Sequence, residues 1–219
     1  MTDWYTLRYL DSERYVRRPV AGDAHTFLFM DLVGFSALTA ERGDERAAEV
    51  ALALYARVRL LLPQHSGEEI KTIGDAMMVR CEDPSEGVKL GLRISEEIAG
   101  EEDLPPLRIG VHTGSAVYRD GDWYGSAVNV AARLCSAAGG GEVLVSEAAR
   151  EAAGSPCEVD FGVRRLHWLK NIPEPVAAGS AVRRECESVP AHRSLTALAA
   201  RKARRGLGTL RLRQWEVTG

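Results

Sequence analysis

Long apolar runs are missing from this chain of 219 residues. No stretch approaches the roughly 20 apolar residues of a membrane-spanning helix. The opening residues, Met1-Thr-Asp-Trp-Tyr-Thr-Leu-Arg-Tyr-Leu10, lack the charged-then-apolar order of a secretory signal. A cytoplasmic location is the expectation. Paired cysteines are missing as well: Cys81, Cys135, Cys157 and Cys186 are scattered and form no Cys-x-x-Cys unit, so they read as structural thiols. None of the five histidines falls in a His-Glu-x-x-His or comparable ligand spacing. His112, inside Leu107-Arg-Ile-Gly-Val-His-Thr113, reads as a hydrogen-bonded strand residue. An excess of positive charge is also absent. With 28 Lys and Arg against 31 Asp and Glu the net charge is −3, which offers nucleic acid no global basic field.

What is present is a hydrophobic content of 45%, ordinary for a packed domain, on a chain long enough for one such domain plus extensions. Residues 1–22 form a polar and aromatic leader, 23–183 the main domain and 184–219 a basic extension. That extension carries Arg193, Arg201, Lys202, Arg204, Arg205, Arg211 and Arg213 against Glu216. It reads either as a solvated helix and strand or as a docking segment for a regulatory partner or acidic surface.

Periodicity and breakers divide the main domain. His25–Met30 is a buried strand, and Ser36 is the expected N-cap of a helix to about Arg42. Val50, Ala51, Leu54, Val58 and Leu61 mark a second helix that Pro63 ends. Glu68–Ile73 and Ala76–Arg80 are strands joined by Gly74-Asp75, a two-residue hairpin signal. A helix over Pro84–Ile98, a strand over Leu107–Thr113, and a short connection across Gly114–Gly121 follow. Then come a helix over Ala127–Ala138 closed by Gly139-Gly-Gly141, a strand over Glu142–Val145, a helix over Glu147–Ala153 and a strand-like stretch over Val159–Leu169. This order predicts an α+β fold with a ferredoxin-like βαββαβ core, additional C-terminal strands and a helix, and helices covering one face of a mostly antiparallel sheet.

Two carboxylates stand where apolar strands break into turns: Asp31 in Phe29-Met-Asp-Leu-Val-Gly-Phe-Ser36, and Asp75 in Lys71-Thr-Ile-Gly-Asp75. Each alone is an ordinary cap or turn residue. If the first strand lies beside the hairpin, the two meet at one edge of the sheet and repel unless a cation joins them. Mg²⁺ suits such a pair, since it takes hard oxygen ligands and commonly binds one or two carboxylates plus substrate phosphates. Gly34 and Phe35 open a helix whose N–H groups are free to face an anion. Asn129 and Arg133, four residues apart, share a helix face in the small apolar stretch Ala127–Leu134. They require partners there, either a structural salt bridge or a phosphate.

These blocks, in this order and at these spacings, resemble the class III nucleotidyl cyclase catalytic domain over residues 24–182. Phe29–Ser36 and Lys71–Asp75 are similar to its two metal motifs. Asp122–Arg133 is similar to the motif in which Asp precedes Asn by seven residues and Arg by eleven, and Leu169–Val176 to its closing segment. The resemblance implies an adenylate cyclase using two Mg²⁺ or Mn²⁺ ions per site, held by Asp31, Asp75 and the Leu32 carbonyl. It implies that Lys71 and Asp122 read adenine, Asn129 orients the ribose, Arg133 neutralises charge at the α-phosphate and Lys170 reaches the terminal phosphates of ATP. It further implies a head-to-tail homodimer with two composite sites. Glu142 departs from the pattern, because some members place Arg there. A catalytically silent nucleotide-binding or scaffolding homologue and a guanylate cyclase are the rival readings. The intact Asp31, Asp75 and Arg133 oppose the first, and the Lys71/Asp122 pair opposes the second. A nucleic-acid-binding ferredoxin-like module would need aromatics on the sheet and a basic face, which the central strands do not offer.

Overall fold

A computed structural model describes residues 24–101 and 104–184; the leader and residues 185–219 of the basic extension, Cys186 among them, lie outside these ranges. The elements are β1 (Ala24–Leu32), α1 (Phe35–Leu61), β2 (Gly67–Ile73), β3 (Ala76–Cys81), α2 (Pro84–Ala99), β4 (Leu107–Ser115), β5 (Val117–Arg119) and β6 (Asp122–Tyr124). They continue with α3 (Ser126–Ala137), β7 (Val143–Ser146), α4 (Glu147–Ala153), β8 (Val159–Phe161), β9 (Arg165–His167) and β10 (Val176–Arg183). The main sheet runs β2-β3-β1-β4-β7-β10-β8, with β9 also on β10. Among the described residues its one parallel pair is β4 with β7; the other pairs are antiparallel. The unit β1-α1-β2-β3-α2-β4 is the expected ferredoxin-like core. No helix among the described residues is long and apolar enough to cross a membrane.

Strand alternation builds two cores. Leu28, Met30 and Leu32 of β1, with Met77 and Val79 of β3, pack on Leu54 and Val58 of α1 and Leu90 and Ile94 of α2. The alternate positions, Phe27 and Met78, pack on Ala127, Val128 and Ala131 of α3. Expectation is corrected here: α1, α2 and α4 share one face, whereas α3 lies on the other. Two features of the chain put it there. The helix has a second apolar side, Val130 and Leu134, which meets Leu144 of β7 and Ala178 of β10. Gly110 on β4 also lets it come close, since a Cβ at that position would lie 2.1 Å from the Cys135 nitrogen and 2.5 Å from the Ala131 oxygen.

Local chemistry accounts for most boundaries. Asp83 caps α2, accepting from the Ser85 N–H at 2.7 Å, with Pro84 in the first turn. Ser146 caps α4, accepting from the Ala149 N–H at 3.1 Å. Helix α1 comprises the two helical segments expected, separated by a kink at Gly43, whose φ of 82° and ψ of 165° are not helical. Its N-cap is Gly34, in the left-handed region at φ 81°, rather than Ser36. Residues 114–121, read as a short connection, include strand β5, which pairs with β6 as a separate hairpin. The stretch after Val159 is two strands broken at Gly162, whose N–H donates to the Ser180 carbonyl at 2.7 Å. Strand β10 was not anticipated, because Val176-Ala-Ala-Gly-Ser-Ala-Val-Arg183 is too rich in small residues to show strand alternation.

Candidate active site

Strand β1 ends beside the β2–β3 hairpin, and there the two carboxylates meet. The Asp75 side chain lies beside the Asp31 carboxylate and close to the backbone N–H of Leu32. Partial burial, followed by the neighbouring Asp31 carboxylate, pushes the Asp75 carboxyl up to about 6. Gly74 (φ 62°) and Asp75 form the expected tight turn, with Ile73 facing Ala76. Tyr55 of α1 fastens that turn: its hydroxyl donates to the Gly74 carbonyl, with the Ala76 carbonyl at 3.5 Å. Burial, then Asp75, raises the Tyr55 phenol above its usual range.

Lys71 reaches the opposite face of the sheet through a bulge. Glu69 stands across from Val79, yet Lys71 stands across from Met78, so Ile70 is the extra residue. Glu69 then meets Arg59 of α1, at 2.7 Å from its Nε, whereas Lys71 points with Met78 and Phe29 to the side where α3 lies. A bulge re-aims the side chain that follows it in this way. Lys71 Nζ donates to Asp122 Oδ2, and Asp122 Oδ1 accepts from the Trp123 N–H at 2.8 Å. Phe29 and Ile70, both half-buried, pack on the core of Phe27, Met78, Trp123 and Ala127 on this side of the sheet.

Asn129 and Arg133 lie along α3, Asn129 exposed and Arg133 half-buried. Neither side chain has a hydrogen bond or ion pair among the described residues, and the same holds for Lys170 in the turn before β10. The structural salt bridge considered for Arg133 is therefore not formed with any described residue. At the start of α1 the first intrahelical bond runs from the Leu38 N–H to the Gly34 carbonyl at 3.0 Å. No side chain caps that helix end and no acidic residue occupies its first turn, so the N–H groups of Phe35 and its neighbours remain open to an anion. The site residues thus form three groups: Asp31 with Asp75 and Leu32, Lys71 with Asp122, and Asn129, Arg133 and Lys170, which have no side-chain partner among the described residues. His112, as expected, is a strand residue hydrogen-bonded to Ser146 Oγ at 2.8 Å. Glu142 accepts from the Gly139 N–H at 2.7 Å and holds the glycine turn closed.

Two neighbours of the carboxylates were not singled out from the sequence. Arg108 of β4 stands directly across from Asp31, and its Nε donates to Asp31 Oδ2 at 2.9 Å. Its signal is a charge inside the apolar strand Leu107–Val111. Tyr55 sits on the buried stripe of α1, where a phenol hydroxyl needs an acceptor.

The donor set fits a hard divalent cation. Two neighbouring carboxylates share a single guanidinium, that of Arg108, which leaves a net negative charge, and Leu32 places a backbone group beside them. No cluster of three or more His, Cys, Asp or Glu suited to a metal occurs among the described residues. That leaves the remaining ligands to water and substrate, as Mg²⁺ and Mn²⁺ accept.

Comparison with known proteins identifies the family. The sequence profile of the adenylate and guanylate cyclase catalytic domain matches residues 20–166. A pH-sensitive adenylate cyclase of Mycobacterium tuberculosis is 39% identical over 168 residues, covering 72% of this chain and 41% of that protein. The solved structure of an adenylate/guanylate cyclase/hydrolase from Silicibacter pomeroyi aligns with a TM-score of 0.65 at 29% identity, covering 74% of this chain and 97% of that one. An adenylate cyclase structure from Trypanosoma brucei shares the fold, with a TM-score of 0.68 at 21% identity over 76% of this chain and 90% of that one. The chain spans well under half of the M. tuberculosis relative's length. With two thirds of its residues under the family profile, the chain belongs to the adenylate and guanylate cyclase catalytic domain family.

Proposed function

We propose that this chain is a class III adenylate cyclase. It converts ATP to 3′,5′-cyclic AMP and pyrophosphate at two composite sites of a head-to-tail homodimer, with two Mg²⁺ or Mn²⁺ ions per site. One observation carries the reading: Asp31 and Asp75 are joined, while Asn129 and Arg133 on α3 have no partner among the described residues. A site with its cation-binding half assembled and its anion-binding half unpaired is completed by a second copy, related by a two-fold axis.

In this reading Asp31, Asp75 and the Leu32 carbonyl hold the ions. When bound, the ions lower the pKa of the ribose 3′-hydroxyl and neutralise the pyrophosphate oxygens. The N–H groups at Gly34 and Phe35 and the Lys170 ammonium take the outer phosphates. Asn129 of the other subunit orients the ribose. The 3′-hydroxyl gives up its proton to water or to a substrate phosphate, its oxygen attacks the α-phosphorus in line as the bond to pyrophosphate breaks, and Arg133 offsets the charge gathering on the α-phosphate. Positioning and electrostatics supply the rate. Losing Arg133 costs about 3–4 kcal/mol of barrier by analogy with oxyanion donors.

Lys71 and Asp122 support ATP over GTP. A Lys donor and a carboxylate acceptor match the ring nitrogen and amine of adenine, whereas guanine presents a carbonyl in place of that amine. The relative named as an adenylate cyclase supports the same choice. The experiment is complementation. Asp31→Ala and Arg133→Ala proteins are each inactive, and their equimolar mixture regains activity because a heterodimer contains one intact site. Confirmed mixed dimers that stay inactive refute the composite site.

A further inference from the structure

Arg108 has a relation to the carboxylate pair that goes beyond its place in the strand. The β1–β4 ladder sets it directly across from Asp31. Its Nε lies 2.9 Å from Asp31 Oδ2 and its Nη2 donates to the same oxygen. Its Nη1 is 3.4 Å from the Ser136 carbonyl near the end of α3. The two side chains are 29% and 22% exposed, so water screens them only in part. Both nitrogens address one oxygen, and that oxygen belongs to a group read above as a cation ligand.

We infer that Arg108 is a resident counter-cation of the carboxylate pair, one that occupies Asp31 Oδ2 in the metal-free protein and withdraws from it when a divalent ion enters. It thereby sets how tightly the pair holds metal. This rests on reading Asp31 and Asp75 as the metal ligands. Two touching carboxylates repel, and a guanidinium on one of them removes part of that cost. An entering ion must share or displace two charge-assisted hydrogen bonds, and it meets a cluster of net charge −1 rather than −2. The ladder fixes the Arg108 backbone, so the exchange falls to its side chain, which already has a second acceptor at Ser136. Arg108 is in this sense a positioning residue that acts through Asp31.

The test is Mn²⁺ binding without nucleotide, followed by electron paramagnetic resonance of free Mn²⁺, on the full chain. Arg108→Gln binds Mn²⁺ about tenfold more tightly than wild type, because a competitor and a like charge are gone. Arg108→Lys, which keeps the charge but loses the fork, falls between the two. In the metal-free state Arg108→Gln lowers Tm, and adding Asp31→Asn to it gives a loss smaller than the sum of the two single changes. Unchanged or weaker Mn²⁺ binding in a folded Arg108→Gln protein overturns the inference, as does binding by Arg108→Lys weaker than wild type. Strictly additive Tm losses overturn it too. A wild-type chain that takes up no Mn²⁺ refutes the metal site itself. A chain that binds Mn²⁺ through Asp31 and Asp75, yet gains nothing from losing Arg108, refutes only the counter-cation.

Discussion

Replacing Gly110 with Ala tests whether the contact between β4 and α3 holds the site together. The added Cβ would lie 2.1 Å from the Cys135 nitrogen, 2.5 Å from the Ala131 oxygen and 2.7 Å from the Leu134 carbonyl carbon. All three are backbone atoms of α3, so no side chain can rotate out of the way. Ordinary contacts at about 3.5 Å are restored only if the helix moves by more than about 1 Å. Overpacking of a core by one methyl costs about 1–3 kcal/mol when side chains absorb it, and a displaced helix belongs at or above the upper end. For a domain of this size about 3 kcal/mol lowers Tm by roughly 6–12 °C. Catalysis suffers separately, because α3 carries Asn129 and Arg133, and misplacement by about 1 Å costs roughly 100-fold. Gly91→Ala on α2 is the control. Its Cβ would meet the Val143 side chain at 3.2 Å, a contact that yields, and alanine favours the helix by about 1 kcal/mol. Thermal denaturation and initial rates of cyclic nucleotide formation on both variants decide the matter. A Gly110→Ala protein that melts within about 2 °C of wild type and keeps its activity shows that α3 is not seated by this contact.

Three further outcomes follow from the site and its surroundings. Asp75 has a folded-state pKa raised to about 6, chiefly by burial and then by Asp31, so the stability it contributes is present below pH 4 and is lost as pH rises through 6. Asp75→Asn therefore raises the metal-free Tm at pH 7, by an amount equivalent to about 1–2 kcal/mol after solvent screening, and abolishes stabilisation by Mn²⁺; calorimetry with and without the ion measures both. His112 behaves oppositely. Burial depresses its pKa to about 4, so stability falls as pH drops from 6.5 towards 4, by at most about 3 kcal/mol, and urea melts of His112→Gln show a flatter profile across that window. Lys71→Ala lowers kcat/KM for ATP about 10–100-fold and erases most of the preference over GTP, which competition between the two nucleotides reports; an unchanged ratio removes Lys71 from base recognition.

The fold was legible where side-chain periodicity and breakers speak strongly. Phe27–Met30, the Val50-to-Leu61 stripe and the Gly74-Asp75 turn each announce one structure, and the βαββαβ core follows from their order. Legibility failed where composition is bland or a partner decides. Strand β10 is made mostly of small residues and owes its conformation to β7 on one side and β8 and β9 on the other. The placement of α3 on the face opposite the other helices depends on Gly110 lying beneath it. That is a fact about two segments more than 20 residues apart, which neither segment displays alone.

The site divides along the same line. Strand ends singled out Asp31 and Asp75, and the family resemblance added Lys71 and Asp122; the folded chain brings Asp31 beside Asp75 and sets Lys71 against Asp122, a contact not expected. How Lys71 comes to face Asp122 could not be read from the sequence. Alternation would put Glu69 and Lys71 on one side of β2, where Arg59 would meet both. The bulge at Ile70 separates them, leaving Glu69 to α1 and sending Lys71 across the sheet. The extra residue thus fixes the face on which Lys71 lies relative to Glu69. Deleting Ile70 makes Glu69 and Lys71 neighbours in regular pairing, so Lys71 stays across from Met78, on the side of α3 and Asp122. In the proposed mechanism the preference for ATP over GTP is then retained, as is Mn²⁺ stabilisation through Asp31 and Asp75. A folded deletion variant that binds Mn²⁺ but loses that preference would mean that the bulged Ile70 itself, packed in the same core as Phe29, aims the lysine.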